Sequence, residues 1–456
     1  MGRGLDARIL CRPRGWAGFF YPGRSMKPQI LAALVLAALP VGAQAANWLQ
    51  LQGNEPPTSG PVKLFGFLQP TYTYIDADPV QGLLGAAAPF NGQLILPNRV
   101  GPDLEDNDEL QFFRARVGAR GNIIPGKINY FTLVEAGKNA ITSKRDVMVT
   151  DASITFNYIP GARIRAGLFK LPTSDEALVA VHLAYPYVYF TNATTNLLVE
   201  NQVRTTDTAS PTGATNGTTV SGGSGFRDWG VQVYDWFNKG PWEFSYALMV
   251  SNGNEIEELS DNDGNKDITG RLQASYVFGT SKGPNREDVS VWLWHQNGER
   301  EFGGQDFDRI REGIGGRYQK GPWRATAEFT RGDGMIVGGP NPPFPGQPVQ
   351  IGANEKADGW YLEGGWRFHP KWEANLRHDV FNRMTETAAL ERQFTTTTVG
   401  LNWFFYKNTR LTLNHEFREL EVSNPSAIPA GPQRTTAQQI ADNLGDRTSL
   451  QVTWFF

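Results

Sequence analysis

The last seven residues, Leu450-Gln-Val-Thr-Trp-Phe-Phe456, constrain this chain most. Leu450, Val452, Trp454 and Phe456 share one parity, while Ser449, Gln451 and Thr453 share the other. Successive side chains of a strand point to opposite faces. The segment therefore reads as a strand that is apolar on one side and polar on the other. Finishing on an aromatic residue, it has the form of the closing strand of a barrel whose outer face meets lipid. The edge strand of a soluble sandwich would alternate in the same way, so the other strands decide between the two.

The beginning of the chain reads as a leader. Met26-Lys27 is a short basic start, Ile30 to Leu39 is an apolar run, and Ala43-Gln44-Ala45 is a small-x-small cleavage site before Ala46. The run is too short to span a bilayer as a helix. Residues 1–25 precede this signal and hold the single cysteine, Cys11; they read as an upstream mis-start or an N-terminal extension. Residues 46–62 are expected to be a short periplasmic segment. Without its leader the chain has no cysteine, which leaves no disulfide and no thiolate metal site. Its net charge is about −8, because residues 1–45 remove six basic residues and one acid from totals of 43 and 46. A nucleic-acid binder would carry a basic excess instead.

Segments of period two, bounded by turn residues, are found at 63–75, 110–120, 127–136, 149–158, 162–169, 226–237, 241–250, 267–278, 287–297, 308–319, 322–331, 358–368, 371–381, 393–404, 409–420 and 446–456. Sixteen is an even number, as single-chain bacterial barrels require. Short turns such as Ile159-Pro160-Gly161, Asn238-Lys239-Gly240, Lys320-Gly321, His369-Pro370 and Tyr406-Lys407-Asn408 follow the even-numbered segments. Longer connections such as 76–109, 170–225, 332–357 and 421–445 follow the odd ones. A barrel with periplasmic turns and extracellular loops produces this parity. The fold class expected is all-β: a sixteen-stranded antiparallel transmembrane barrel over 63–456. Trp242, Trp323 and Trp372 follow short turns and would form an aromatic girdle at one interface.

The face opposite the apolar one lines the lumen. With Phe113, Ala115, Val117 and Ala119 assigned outward, Arg114, Arg116 and Arg120 point inward. The same parity turns Arg163 and Arg165 inward, along with Arg309, Arg311 and Arg317, which are interspersed with Gly313 and Gly315. Arg271, Arg324, Arg367, Arg377, Arg410 and Arg418 also have inward parity. Guanidinium groups are always charged and present planar donor sets suited to oxyanions, and rings of basic side chains select anions in pores. The competing reading makes these arginines braces, paired with inward acids such as Glu243, Glu328, Glu363, Glu373, Asp379 and Glu416.

Residues 170–200 are rich in apolar and aromatic side chains, from Lys170-Leu-Pro-Thr-Ser-Asp-Glu176 to Ala184-Tyr-Pro-Tyr-Val-Tyr-Phe190. Such a loop is expected to fold into the lumen as a constriction, or else to pack as a lid on a neighbouring subunit; residues 205–225 read as a surface tip. The acidic runs Asp103–Glu109 and Glu255–Asp267 read as solvated external loops, where bridging of divalent cations to lipopolysaccharide is an alternative. None of the five histidines, His182, His295, His369, His378 and His415, lies in a zinc or nucleophile motif. No cofactor or resident metal is expected.

Three stretches carry a family likeness: Arg163-Ile-Arg-Ala-Gly-Leu-Phe-Lys-Leu-Pro-Thr-Ser-Asp-Glu176, Thr398-Val-Gly-Leu-Asn-Trp-Phe-Phe405 and Asp446-Arg-Thr-Ser-Leu-Gln-Val-Thr-Trp-Phe-Phe456. They resemble the phosphate-selective porin O and P family of Gram-negative outer membranes. The first looks like that family's Arg-x-Gly-x-Phe-Lys-x-Pro entry to the constriction loop, and the second like its Gly-x-Asn-Trp-aromatic strand. The resemblance implies a homotrimer of sixteen-stranded barrels in the outer membrane, each with its own pore. Where that family's phosphate channels cluster lysines and arginines, residues 170–200 hold only Lys170 as a base, beside Asp175, Glu176 and Glu200. Passive diffusion of small anions or small hydrophilic solutes is expected rather than phosphate selectivity. A structural sleeve around a partner protein and a surface receptor are the alternatives.

Overall fold

The computed structural model describes residues 47–50, 53–79, 92–95, 108–137, 139, 147–199, 226–253, 264–280, 283, 286–302, 304–341, 343–344 and 349–456. The leader, its cleavage site, the surface tip 205–225 and most of both acidic runs lie outside these residues. The barrel begins with β1 (Lys63–Asp76), β2 (Asp108–Ile124), β3 (Ile128–Ala136), β4 (Val147–Phe156), β5 (Arg163–Lys170) and β6 (Arg227–Lys239). It continues through β7 (Trp242–Ser251), β8 (Asp267–Val277), β9 (Asp288–Phe302), β10 (Gln305–Lys320) and β11 (Trp323–Asp333). After a separate hairpin, β12 (Ile336–Pro340) with β13 (Val349–Gly352), it resumes with β14 (Lys356–His369), β15 (Trp372–Arg383), β16 (Arg392–Tyr406), β17 (Thr409–Val422) and β18 (Asp446–Phe455).

Sixteen of these strands close into one antiparallel barrel, and β12–β13 forms its own small sheet. Closure runs through β1 and β18, with Phe67 opposite Phe455 and Tyr72 opposite Leu450. A closed sheet pairs its backbone groups between strands and leaves no edge in hydrocarbon. Phe456 extends the seam: its N–H donates to Gly66 O at 3.0 Å, and Gly66 N–H donates back at 3.2 Å. A Cβ on Gly66 would lie 2.6 Å from the Phe456 ring, so the missing side chain makes room for that ring. Phe456→Asp places a charge on the lipid-facing rim and empties this contact. Its folded fraction in the outer membrane should fall; an undiminished level would contradict the assigned face.

The outer surface is an apolar band. Leu248, Leu272, Leu293, Leu362 and Leu376 are each more than half exposed. Tryptophans gather at the short-turn end: Trp323 stacks on Trp366, and Trp372 on Trp403, both at 5.4 Å. Two connections depart from expectation. β9 and β10 pair as far as Phe302 opposite Gln305, so two residues connect them rather than a long loop. Gly304 adopts φ 76°, the left-handed conformation such turns demand. The β17–β18 connection carries α4 (Pro432–Asp442), a stretch with no strand pattern in the sequence.

Phe113 corrects the outward set of β2. Gln69 pairs with Arg114 and Pro70 with Phe112, which leaves Phe113 as the extra residue of a bulge. Proline cannot donate to a ladder, and the break occurs at Pro70. The carbonyl of Phe113 instead accepts from Asn139 Nδ2 at 2.7 Å. Phe112 takes the lipid-facing place, and Phe113 turns inward and is buried.

Candidate permeation site inside the barrel

Three layers meet in the lumen: the inward faces of the strands, the N-terminal segment and the loop that follows β5. The described residues of the N-terminal segment contact inward faces of the strands close to the short turns. Trp48, in α1 (Asn47–Gln50), donates from Nε1 to Ser245 Oγ on β7 at 3.2 Å. It packs with Leu49, Leu178, Tyr234, Trp236 and Ala247. Glu55 pairs with Arg120, and Asn54 Oδ1 accepts from Arg163 Nη1 at 2.9 Å. Because Trp48 occupies lumen volume, Trp48→Ala should raise single-channel conductance in a planar bilayer. An unchanged or lower conductance would place the segment outside the pathway.

The loop after β5 is built from two short helices, α2 (Asp175–Leu178) and α3 (Asn192–Leu198). Ser174 Oγ and Thr191 Oγ cap their N-termini, accepting from Ala177 N–H and Thr194 N–H. Lys170 Nζ donates to Ala177 O at 2.6 Å and Val179 O at 3.3 Å, satisfying the carbonyl end of α2. The loop then crosses to the far wall. Asp175 N–H donates to Glu328 Oε2 on β11 at 3.0 Å, and Asn192 N–H to Asp379 Oδ1 on β15 at 2.9 Å. Val188 N–H donates to Asn414 Oδ1 on β17 at 2.8 Å, and Tyr189 OH lies 2.7 Å from Thr73 Oγ1 on β1. The loop is therefore fastened to inward faces on both sides of the β1–β18 seam.

Two fasteners are polar networks. Arg377, fully buried on β15, donates to Tyr185 OH at 2.6 Å and Tyr189 O at 3.1 Å, and lies 3.4 Å from Glu176 Oε1. Glu328 accepts the indole N–H groups of Trp292 and Trp294, each at 2.9 Å. Gly313 and Gly315 have their physical reason here. A Cβ at either would lie 2.6 Å from the Trp294 or Trp292 ring, so glycine on β10 admits the indoles of β9.

The nine basic residues expected to line the pore separate into distinct environments. Five face carboxylates: Arg116 with Glu135 at 2.6 Å, Arg120 with Glu55, Arg163 with Asp235 at 3.1 Å, Arg309 with Asp267 at 3.5 Å, and Arg317 with Asp288 at 3.3 Å. Two are engaged with neutral acceptors. Arg165 reaches Thr155 Oγ1 at 3.3 Å and Tyr234 OH at 3.4 Å. Arg311 reaches Leu197 O at 3.2 Å and the Gly334 and Met335 carbonyls at 2.9 Å. Lys170 holds α2. Arg114 donates to Gln69 Oε1 at 3.1 Å and sits 4.3 Å from the Phe113 ring and 5.5 Å from that of Phe190. No carboxylate lies within ion-pairing distance of Arg114 among the described residues.

Arg114, Arg116 and Lys170 come together, and two residues outside the expected site join them. Arg410 on β17 donates to Val181 O at 3.4 Å and likewise has no carboxylate at pairing distance among the described residues. His182 stacks on Phe67 at 4.4 Å. Burial, and then the charges of Arg116, Arg410 and Lys170, push the His182 imidazole down to about 3, so it is neutral at neutral pH. Inward parity was the available signal for Arg410; no local pattern marks His182. The arginines of β10 stand on the other side of the barrel. Among the described residues no group of three or more His, Asp or Glu side chains is placed to hold a metal ion.

Residues 297–423, from the upper part of β9 to the end of β17, match the family described as phosphate-selective porin O and P. Among solved structures, the anion-selective porin from Comamonas acidovorans has a similar fold, with 14% identity and a TM-score of 0.52 over 87% of this chain and 99% of that one. Salmonella typhi OmpF, in complex with daunomycin, is similar at 11% identity and a TM-score of 0.51, over 87% of this chain and 97% of that one. No curated protein matches the sequence. Family and fold point to a channel rather than an enzyme. The sixteen closed strands and the apolar surface turned to lipid have the form of a bacterial outer-membrane porin, and residues 297–423 match the phosphate-selective porin O and P family.

Proposed function

We propose that this porin passes small anions by diffusion, drawn by a basic patch of Arg114, Arg410, Arg116 and Lys170 beside the inner loop. The observation that carries this reading is the absence of a carboxylate partner for Arg114 and Arg410 among the described residues. Because the chain without its leader is net acidic, an anion preference has to arise from such local charge. Partial removal of water strengthens each charge relative to bulk. The fold shared with an anion-selective porin is in keeping with this reading. The family implies three barrels per assembly, so we propose a homotrimer in the outer membrane. The lumen holds its own loop and N-terminal segment, which argues against a sleeve around a partner.

Wild-type pores should favour chloride over potassium in a low-salt gradient. The preference should shrink as the screening length falls from about 10 Å at 0.1 M to about 3 Å at 1 M. Arg114→Gln/Arg410→Gln should move the zero-current potential toward cation selectivity. A double variant that keeps the wild-type potential would remove these residues from the selectivity site.

A further inference from the structure

The inner loop sorts its side chains by chemistry. Glu176 is buried, accepting from Tyr185 OH at 2.5 Å and Thr191 Oγ1 at 2.5 Å. Asp175 lies on the far side, within electrostatic reach of Arg271 and Arg317. The hydroxyls of Ser174 and Thr191 are committed to helix caps. Between Val179 and Phe190 the half-buried side chains inside the barrel are Val179, Ala180, Leu183, Ala184 and Phe190, with the neutral His182 among them; the half-buried polar residues of the loop, Asp175 and Asn192, lie outside this stretch. A half-exposed side chain within a closed barrel borders lumen water, so the loop offers the passage an apolar surface with few side-chain donors.

That surface adjoins the basic patch. Phe190 packs edge-on against Phe226 at 5.3 Å, and its ring faces the Arg114 guanidinium. Guanidinium is weakly hydrated for a cation and combines with aromatic faces and planar carboxylates. A compact, strongly hydrated anion needs several donors at once to replace its water; a carboxylate with an apolar body needs one or two donors and a dry surface.

Building on the anion-channel reading, we propose that the lumen favours monocarboxylates bearing an apolar body, aromatic ones above all, over compact anions such as inorganic phosphate. The carboxylate lies toward Arg114 and Arg410, and the body slides along Leu183 and Phe190. The apolar contact offsets the loss of hydration through ordinary burial of apolar area.

The test uses the full assembled porin in planar bilayers, with chloride on one side and benzoate, acetate or phosphate on the other. Benzoate, although larger, should be several-fold more permeant than acetate and phosphate. Acetate or phosphate equal to or above benzoate overturns the proposal. A potassium chloride gradient across the same membrane separates two failures. If chloride is favoured but benzoate is not, only this inference falls; if potassium is favoured, the anion-channel reading falls with it. Leu183→Ser/Phe190→Ser should bring benzoate down to acetate, and a double variant that keeps the full benzoate advantage also overturns the proposal.

Discussion

Arg377→Ala should detach the inner loop from the barrel wall and cost about 3–5 kcal/mol, the usual consequence of removing one partner from a buried ion pair. Arg377 is fully buried, and its guanidinium bonds Tyr185 OH and Tyr189 O while facing Glu176 at 3.4 Å, Glu416 at 3.8 Å and Asp379 at 3.9 Å. Its guanidinium carbon also lies 4.3 Å from the Tyr187 ring. Without it, the buried carboxylates of Glu176 and Asp379 lose their guanidinium partner, while Glu416 keeps Arg447. Loss of the folded band at lower temperature on unboiled gels, together with noisier and larger single-channel currents, would report the release. Arg377→Lys should rescue little, since a single ammonium cannot reproduce the planar fork. An unchanged melting temperature for Arg377→Ala would show that the loop is held by its other contacts.

Arg116 and Arg114 stand two residues apart on one face yet should fail differently. Arg116→Gln strands Glu135, a fully buried carboxylate 2.6 Å from the lost guanidinium, and should cost about 3–5 kcal/mol. Adding Glu135→Gln should restore much of the loss, because a neutral pair leaves no buried charge. Arg114→Gln removes a group with no carboxylate partner among the described residues, so its effect should appear in ion selectivity and much less in melting. Equal melting temperatures for Arg116→Gln and wild type would mean that Glu135 finds another partner. Equal losses in the two single variants would make Arg114 a brace as well.

One physical rule, applied strand by strand, makes the barrel wall legible in the order of residues. Alternation located all sixteen barrel strands, and it placed Trp242, Leu362, Trp366 and Trp454 on the lipid face, where they are exposed. It failed at Phe113, because a bulge adds one residue and reverses the parity beyond it. Parity finds which arginines point inward but carries no information on what faces them. The acids opposite Arg116, Arg120 and Arg163 come from β3, from the N-terminal segment and from β6. Glu55 precedes the first strand, where no alternation predicts a place in the lumen.

Lipid on one side and water on the other impose a period of two on every spanning strand, and that local requirement is written in the order of residues. The sequence by itself thus determined a closed barrel, its strand count and its outward face. Inside the lumen no solvent boundary imposes a period. Charge there is settled by pairs far apart in the chain, such as Arg377 with Glu176 and Arg447 with Glu416. Only the tertiary structure decided that Arg114 and Arg410 have no acid at ion-pairing distance among the described residues, and that the loop leaves Leu183 and Phe190 half-buried while it buries Glu176.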